Sequence, residues 1–166
     1  MNEQPRKLKG APALFGALVL AMAAYFIGPW EGERRGVYRD IVGVPTVCFG
    51  HTGKDVQVGQ PARTEAECAR LLTADVSEAY SHVQRCITHP LYPEQAAAFT
   101  SLAFNVGPQG VCGSTLQRHA NAGNMAQACG QLMRWVYAGG QRVQGLVNRR
   151  QAEYRLCMRP MTEGRT

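Results

Sequence analysis

The chain has 166 residues, a net charge of +6 and six cysteines. Its length suits one domain with a real core and is short for two. None of the cysteines lies in a CxxC pair and no Cys/His cluster has zinc spacing, which excludes a zinc module, while the positive charge leaves open nucleic acid, anionic lipid, bacterial cell wall or plain solubility.

The first element is hydrophobic. "MNEQPRKLKG" carries Arg6, Lys7 and Lys9, and "APALFGALVLAMAAYFIGPW" then runs from Ala11 to Trp30 without a charge. Basic residues before an apolar run hold the N-terminus in the cytoplasm, so the remainder is expected to be exported. Three readings compete: a signal peptide cleaved at the small residues Ala21 and Ala23, a transmembrane anchor of about 20 residues, or a buried N-terminal helix. The strongly apolar residues are Leu14, Phe15, Leu18, Val19, Leu20, Phe26 and Ile27. At roughly −0.3 to −0.6 kcal/mol each, they supply only a few kcal/mol of insertion drive. The segment inserts, but weakly. An even number of cysteines beyond such a segment fits an oxidising compartment and disulfides.

From Gly36 to Gly53 the chain reads as short strands and turns. "TEAECARLLTADVSEAYSHVQRCI" opens with a capping box, Thr64 and Glu67, and its apolar residues recur at helical spacing, which predicts one long helix. "PEQAAAFTSLAFNVG" is a second helix, with Pro93 near its start and Gly107 at its end. "GSTLQRHANAG" predicts a short helix capped by Ser114 or Thr115. "NMAQACGQLMRWVYAGG" and "GLVNRRQAEYRLC" predict two more, separated by glycine-rich "AGGQRVQG". The layout is α+β: a small strand-rich lobe, a long connecting helix and a helical lobe.

The stretch "EGERRGVYRDIVGVPTVCFGHTG" holds the candidate chemistry. Tyr38–Asp40 and Thr46–Cys48 read as strands joined by "IVGVP". With the turn centred on Gly43, Asp40 faces Thr46 and Tyr38 faces Cys48, close enough for a carboxylate and a hydroxyl to hold one water. A slip of one residue would undo this. Glu31 stands near the end of a helix continuing from the apolar segment, where apolar neighbours such as Trp30 would favour its protonated form. Two carboxyls in unlike environments are what glycoside hydrolysis needs. Spacing alone does not separate them from surface charges.

The wider pattern does. Glu31, Asp40 and Thr46 fit E-x8-D-x5-T, and the surrounding residues resemble the "EG…Y.D..G..T.G.GHT" pattern of the phage-type lysozymes, the small endolysins of tailed bacteriophages. Cys48 departs from it, standing where a glycine or small apolar residue is common. "LLTADV", "LAFNVG", "GSTL", "RWVYAGG" and "GLVNRRQAE" extend the resemblance over nearly everything after Trp30. It implies a lysozyme-like fold and hydrolysis of the β-1,4 bond between N-acetylmuramic acid and N-acetylglucosamine in peptidoglycan. Glu31 is then the general acid, with Asp40 and Thr46 directing the attacking water and inversion expected. Glu33 is a rival acid with the wrong spacing.

The resemblance also bears on neighbouring residues. It implies a His51–Asp75 contact, and it places Asn105 at the cleft, where its amide would bind an N-acetyl group or else cap the helix. Arg142, Arg134, Arg149 and Arg150 are read as a basic face towards the wall polymer. For the cysteines we expect local pairs: Cys48–Cys68, Cys86–Cys112 and Cys129–Cys157.

Some phage endolysins carry a signal-arrest-release segment, an uncleaved weak membrane helix that later leaves the bilayer, and residues 1–30 fit that description, with 31–166 as the catalytic domain. Expected partners are peptidoglycan and, before release, the host inner membrane with the catalytic domain in the periplasm. We expect a monomer with no cofactor, no metal and no nucleic acid. A cleaved signal peptide and a non-catalytic wall-binding module are the alternatives.

Overall fold

The computed structural model describes residues 12–40 and 42–165. The basic flank with Arg6, Lys7 and Lys9 lies outside the described residues. Helix α1 (Pro12–Glu31) is followed by β1 (Arg34–Arg39), β2 (Pro45–Cys48), α2 (Glu65–Cys86) and α3 (Pro93–Val106). Helices α4 (Thr115–Asn121) and α5 (Met125–Gln131), strands β3 (Tyr137–Ala138) and β4 (Gln141–Arg142), and α6 (Gln144–Thr162) complete the helical lobe.

Helix α3 is the hub, lying against α1, α2 and α6. Its buried run Pro93–Ala103 is rich in alanine, so neighbouring backbones approach closely on several sides. Helix α1 docks there through Val19, Ala23 and Ile27, one residue per turn and each fully buried. Burying such a valine or isoleucine contributes about 2 kcal/mol. The capping box at Thr64 and Glu67 is present in α2. Ser114 caps α4, its hydroxyl accepting the Gln117 N–H at 3.2 Å.

Two local expectations are corrected. Strands β1 and β2 pair antiparallel with Tyr38 opposite Thr46 and Arg39 opposite Pro45, not Asp40 opposite Thr46 and Tyr38 opposite Cys48. Asp40 belongs to the loop, which its own backbone N–H closes onto the Val44 carbonyl at 3.0 Å. The helix expected from Asn124 onward ends at Gln131. A 3-10 turn (Leu132–Arg134) follows, and Tyr137 and Ala138 pair with Arg142 and Gln141 in a second hairpin. Paired glycines in "AGGQR" make a tight turn more favourable than continued helix.

The β-lobe has a very small core: Val47, Cys48 and Val56, with Cys68 of α2. A cross-link makes up for this. Cys48–Cys68 ties β2 to α2, with Cα atoms 5.1 Å apart. Cys86–Cys112 and Cys129–Cys157 are the other two bonds, as expected from the sequence. Cys48 is also the one non-glycine residue with positive φ (58°) among those described, a conformation that costs about 1–2 kcal/mol. The disulfide holds the chain in a shape that a glycine would adopt freely.

Replacing Cys129 and Cys157 together by alanine should lower the unfolding free energy by about 3 kcal/mol, read as a lower urea midpoint with a slope that rises as the denatured chain expands. An unchanged midpoint would refute this role.

Candidate active site

Glu31 is the last residue of α1, and Gly32 (φ 66°) turns the chain out of the helix. Its carboxylate Oε1 accepts from Arg149 Nη1 of α6 at 2.6 Å. The Arg149 side chain is 5% exposed and that of Glu31 20%. The apolar surroundings expected beside Trp30 are therefore not what Glu31 meets. The guanidinium comes from far along the chain, and no local reading could supply it. Gly50 (φ 85°) sits against the same carboxyl, where a Cβ would lie 3.7 Å from Glu31 Oε2. The positive φ favours glycine there, while the 3.7 Å separation is ordinary contact.

Behind Arg149 lies a buried polar network. Glu153, fully buried, accepts from Ser101 Oγ at 2.6 Å, from Arg149 Nε at 3.3 Å, and from Arg150 Nη1. Arg150 also donates to Asn105 Oδ1 and to the Trp135 carbonyl. Two arginines thus balance Glu31 and Glu153. Burial pushes the Arg150 pKa down, opposed chiefly by Glu153. The basic face expected of Arg149 and Arg150 is corrected: both are buried, because helical spacing turns them towards α3, while Arg134 and Arg142 are exposed. Glu153 was missed by sequence reasoning. Its signal was R-R-x-x-E, which places the glutamate three and four residues from the two arginines on one helix face.

Asp40 and Thr46 meet through one residue. The Val42 and Val44 N–H groups both donate to Asp40 Oδ1, at 2.9 and 2.8 Å. Thr46 Oγ1 donates to the Val44 carbonyl at 2.9 Å. Asp40 is half-buried and Thr46 buried. The hairpin thus orients both side chains, though not by direct opposition. Glu33 is taken up by Arg35 at 2.6 Å. Asn105 lies exposed in the last turn of α3, and Gly107 caps the helix instead. Arg142 is exposed on β4.

His51 fastens the "GHTG" turn. Its backbone bridges to Val47, its Nδ1 meets Asp75 of α2 at 2.8 Å, and its Nε2 lies 3.3 Å from Asp55. The expected His51–Asp75 contact is present. A cavity of about 250 Å³ opens beside it, lined among others by Gly50, Thr52, Asp75, Glu78, His82 and Phe104. Gly50 therefore both lies against Glu31 and lines this cavity.

The phage lysozyme profile matches residues 28–153. The chain is 39% identical to a SAR-endolysin of Enterobacteria phage P21, over 93% of this chain and 96% of that one.

The chain belongs to the phage lysozyme family.

Among solved structures, the active form of the P1 phage endolysin aligns with a TM-score of 0.75 at 24% identity, over 92% of this chain and 96% of that one. The secreted inactive form of the same endolysin aligns at 0.56 and 20% identity, over 87% and 95%. The fold of this phage lysozyme therefore lies nearer the first.

Two outcomes are expected. Burial opposes the charge on His51, but hydrogen bonds and charges from Asp75 and Asp55 outweigh it and raise its pKa above 6.5. The folded state thus binds that proton more tightly, so the tie is complete below about pH 6.5 and is lost as pH rises through the folded-state value. Thermal melts from pH 6 to 9 should fall more steeply for the unmodified chain than for His51→Gln; equal slopes would refute it. Glu153→Gln, which leaves Arg149 and Arg150 under-compensated, should cost about 3–5 kcal/mol in denaturant unfolding.

Proposed function

We propose that this phage lysozyme is an endolysin that hydrolyses the β-1,4 bond between N-acetylmuramic acid and N-acetylglucosamine. Glu31 donates a proton to the glycosidic oxygen as the bond from that oxygen to C1 breaks. Asp40 takes a proton from a water whose oxygen bonds to C1 on the opposite face, giving inversion. Both amide bonds to Asp40 fall on Oδ1, which leaves Oδ2 for the water proton. Thr46 spends its hydroxyl hydrogen on Val44 and keeps lone pairs for the same water. The Arg149 bond on Oε1 fixes the Glu31 carboxyl, whose Oε2 lies against Gly50. Asn105 and Arg142 are proposed as polymer contacts, Asn105 through its amide and Arg142 through its exposed cation.

One observation carries the regulatory part of this reading: the proposed acid is the last residue of the apolar helix. Helix α1 is long and apolar enough to cross a membrane, and it also packs against the enzyme's core. While α1 spans the host inner membrane, Glu31 is held at the bilayer surface and away from Arg149. Release and docking bring it to the hairpin. The SAR-endolysin relative supports the order of events: export with a weak, uncleaved anchor, then activity in the periplasm. A signal peptide cut after Ala23 would remove Val19 and Ala23 from the core, which weighs against cleavage.

Glu31→Gln should lower wall hydrolysis by at least about 10²–10⁴-fold while the circular dichroism still reports the native fold, at a lowered melting temperature because Arg149 loses one of its two carboxylates. Near-normal clearing of peptidoglycan in a zymogram would sink the assignment. N-terminal sequencing of the active periplasmic enzyme should read from residue 1, whereas a start at Ala24 would replace release by cleavage.

A further inference from the structure

Docking uses only one side of α1. Val19, Ala23 and Ile27 are fully buried. On the opposite side Leu14, Leu18 and Tyr25 are 68%, 50% and 86% exposed. Spacings of four and seven residues put these three on one stripe along the helix axis. The helix has no charge between Pro12 and Trp30, so nothing polar interrupts the stripe except the tyrosine phenol. Soluble monomers rarely leave such a stripe open to water without a partner for it.

The adjoining sequence states the partner's charge. Immediately before the helix come Arg6, Lys7 and Lys9, against a single acidic residue, Glu3. Apolar side chains, a tyrosine at the rim and a short cationic arm are the recognition set for an anionic bilayer surface.

We propose that docked, active enzyme seats the Leu14–Leu18–Tyr25 stripe and its basic flank in the headgroup layer of an anionic membrane, lying on the surface and no longer spanning it. The inference rests on the reading that the segment is retained. It adds that release from the bilayer is lateral: the helix gives up the hydrocarbon core on one face and keeps the interface on the other. Wall hydrolysis then starts from the membrane-facing side of the peptidoglycan.

The test uses the full chain from the detergent-free soluble fraction, floated with vesicles of phosphatidylethanolamine and phosphatidylglycerol or of phosphatidylcholine alone. Binding is expected only to the anionic vesicles, reversed by high salt. It should weaken roughly ten-fold or more in Leu14→Ser/Leu18→Ser/Tyr25→Ser and, separately, in Arg6→Gln/Lys7→Gln/Lys9→Gln. The flank variant keeps the test decisive if the stripe variant folds poorly. Both variants should hydrolyse lipid-free wall sacculi like the parent. Failure to float, or binding that survives high salt and alkaline carbonate, overturns the proposal, the latter because it means re-insertion. So does a lipid-independent dimer by sedimentation that the stripe variant abolishes. Flotation without sacculus hydrolysis by the parent would instead refute the enzymatic reading alone.

Discussion

The bond between Glu31 and Arg149 joins the first helix of the fold to the last, and the site depends on it. A guanidinium with 5% exposure cannot be left without counter-charges, so its placement requires Glu153 beneath it and Glu31 above it. Glu153 in turn needs Arg150 and Ser101, and Arg150 reaches Asn105 at the end of α3. The network therefore ties α1 to α6 and to the end of α3. With α1 elsewhere, Arg149 loses one of its two carboxylates, and α3 loses the packing of Val19, Ala23 and Ile27.

The smaller lobe is held by fewer means. It contributes three buried residues to a core completed by Cys68 of α2, too little apolar surface to order a hairpin and two long loops. Two ties to α2 do that work: the Cys48–Cys68 bond and the His51–Asp75 pair. Both lie close in sequence to Gly50, the glycine against the Glu31 carboxyl. Backbone strain at Cys48 is thus carried within two residues of Thr46, at the point where the lobe is fastened most firmly.

Helix α1 has a composition that suits two solvents. A membrane span is apolar all round, whereas a helix at the edge of a globular core needs only one apolar stripe. Here all faces are apolar and one is used, with alanine where α3 lies close. Alanine and glycine in the segment permit close docking.

Much of this was legible in the sequence. The capping box, the proline and glycine at the ends of α3, and the apolar run each act over a few residues, so local physical chemistry decides them. The resemblance carried the Glu31–Asp40–Thr46 spacing and the His51–Asp75 contact. The hairpin register was not legible, because it depends on whether Asp40 takes a ladder position or caps its own loop, and its side chain accepts two loop amides instead. Nor was the partner of Glu31. Arg149 and Arg150 look like surface charge in a basic chain, and only the packing of α6 on α3 turns them inward. The sequence by itself determined which residues fit the family's E-x8-D-x5-T spacing and that one of them ends an apolar helix. The tertiary structure alone decided what that residue meets, since a contact across 118 positions is made by helix packing and leaves no local trace in the chain.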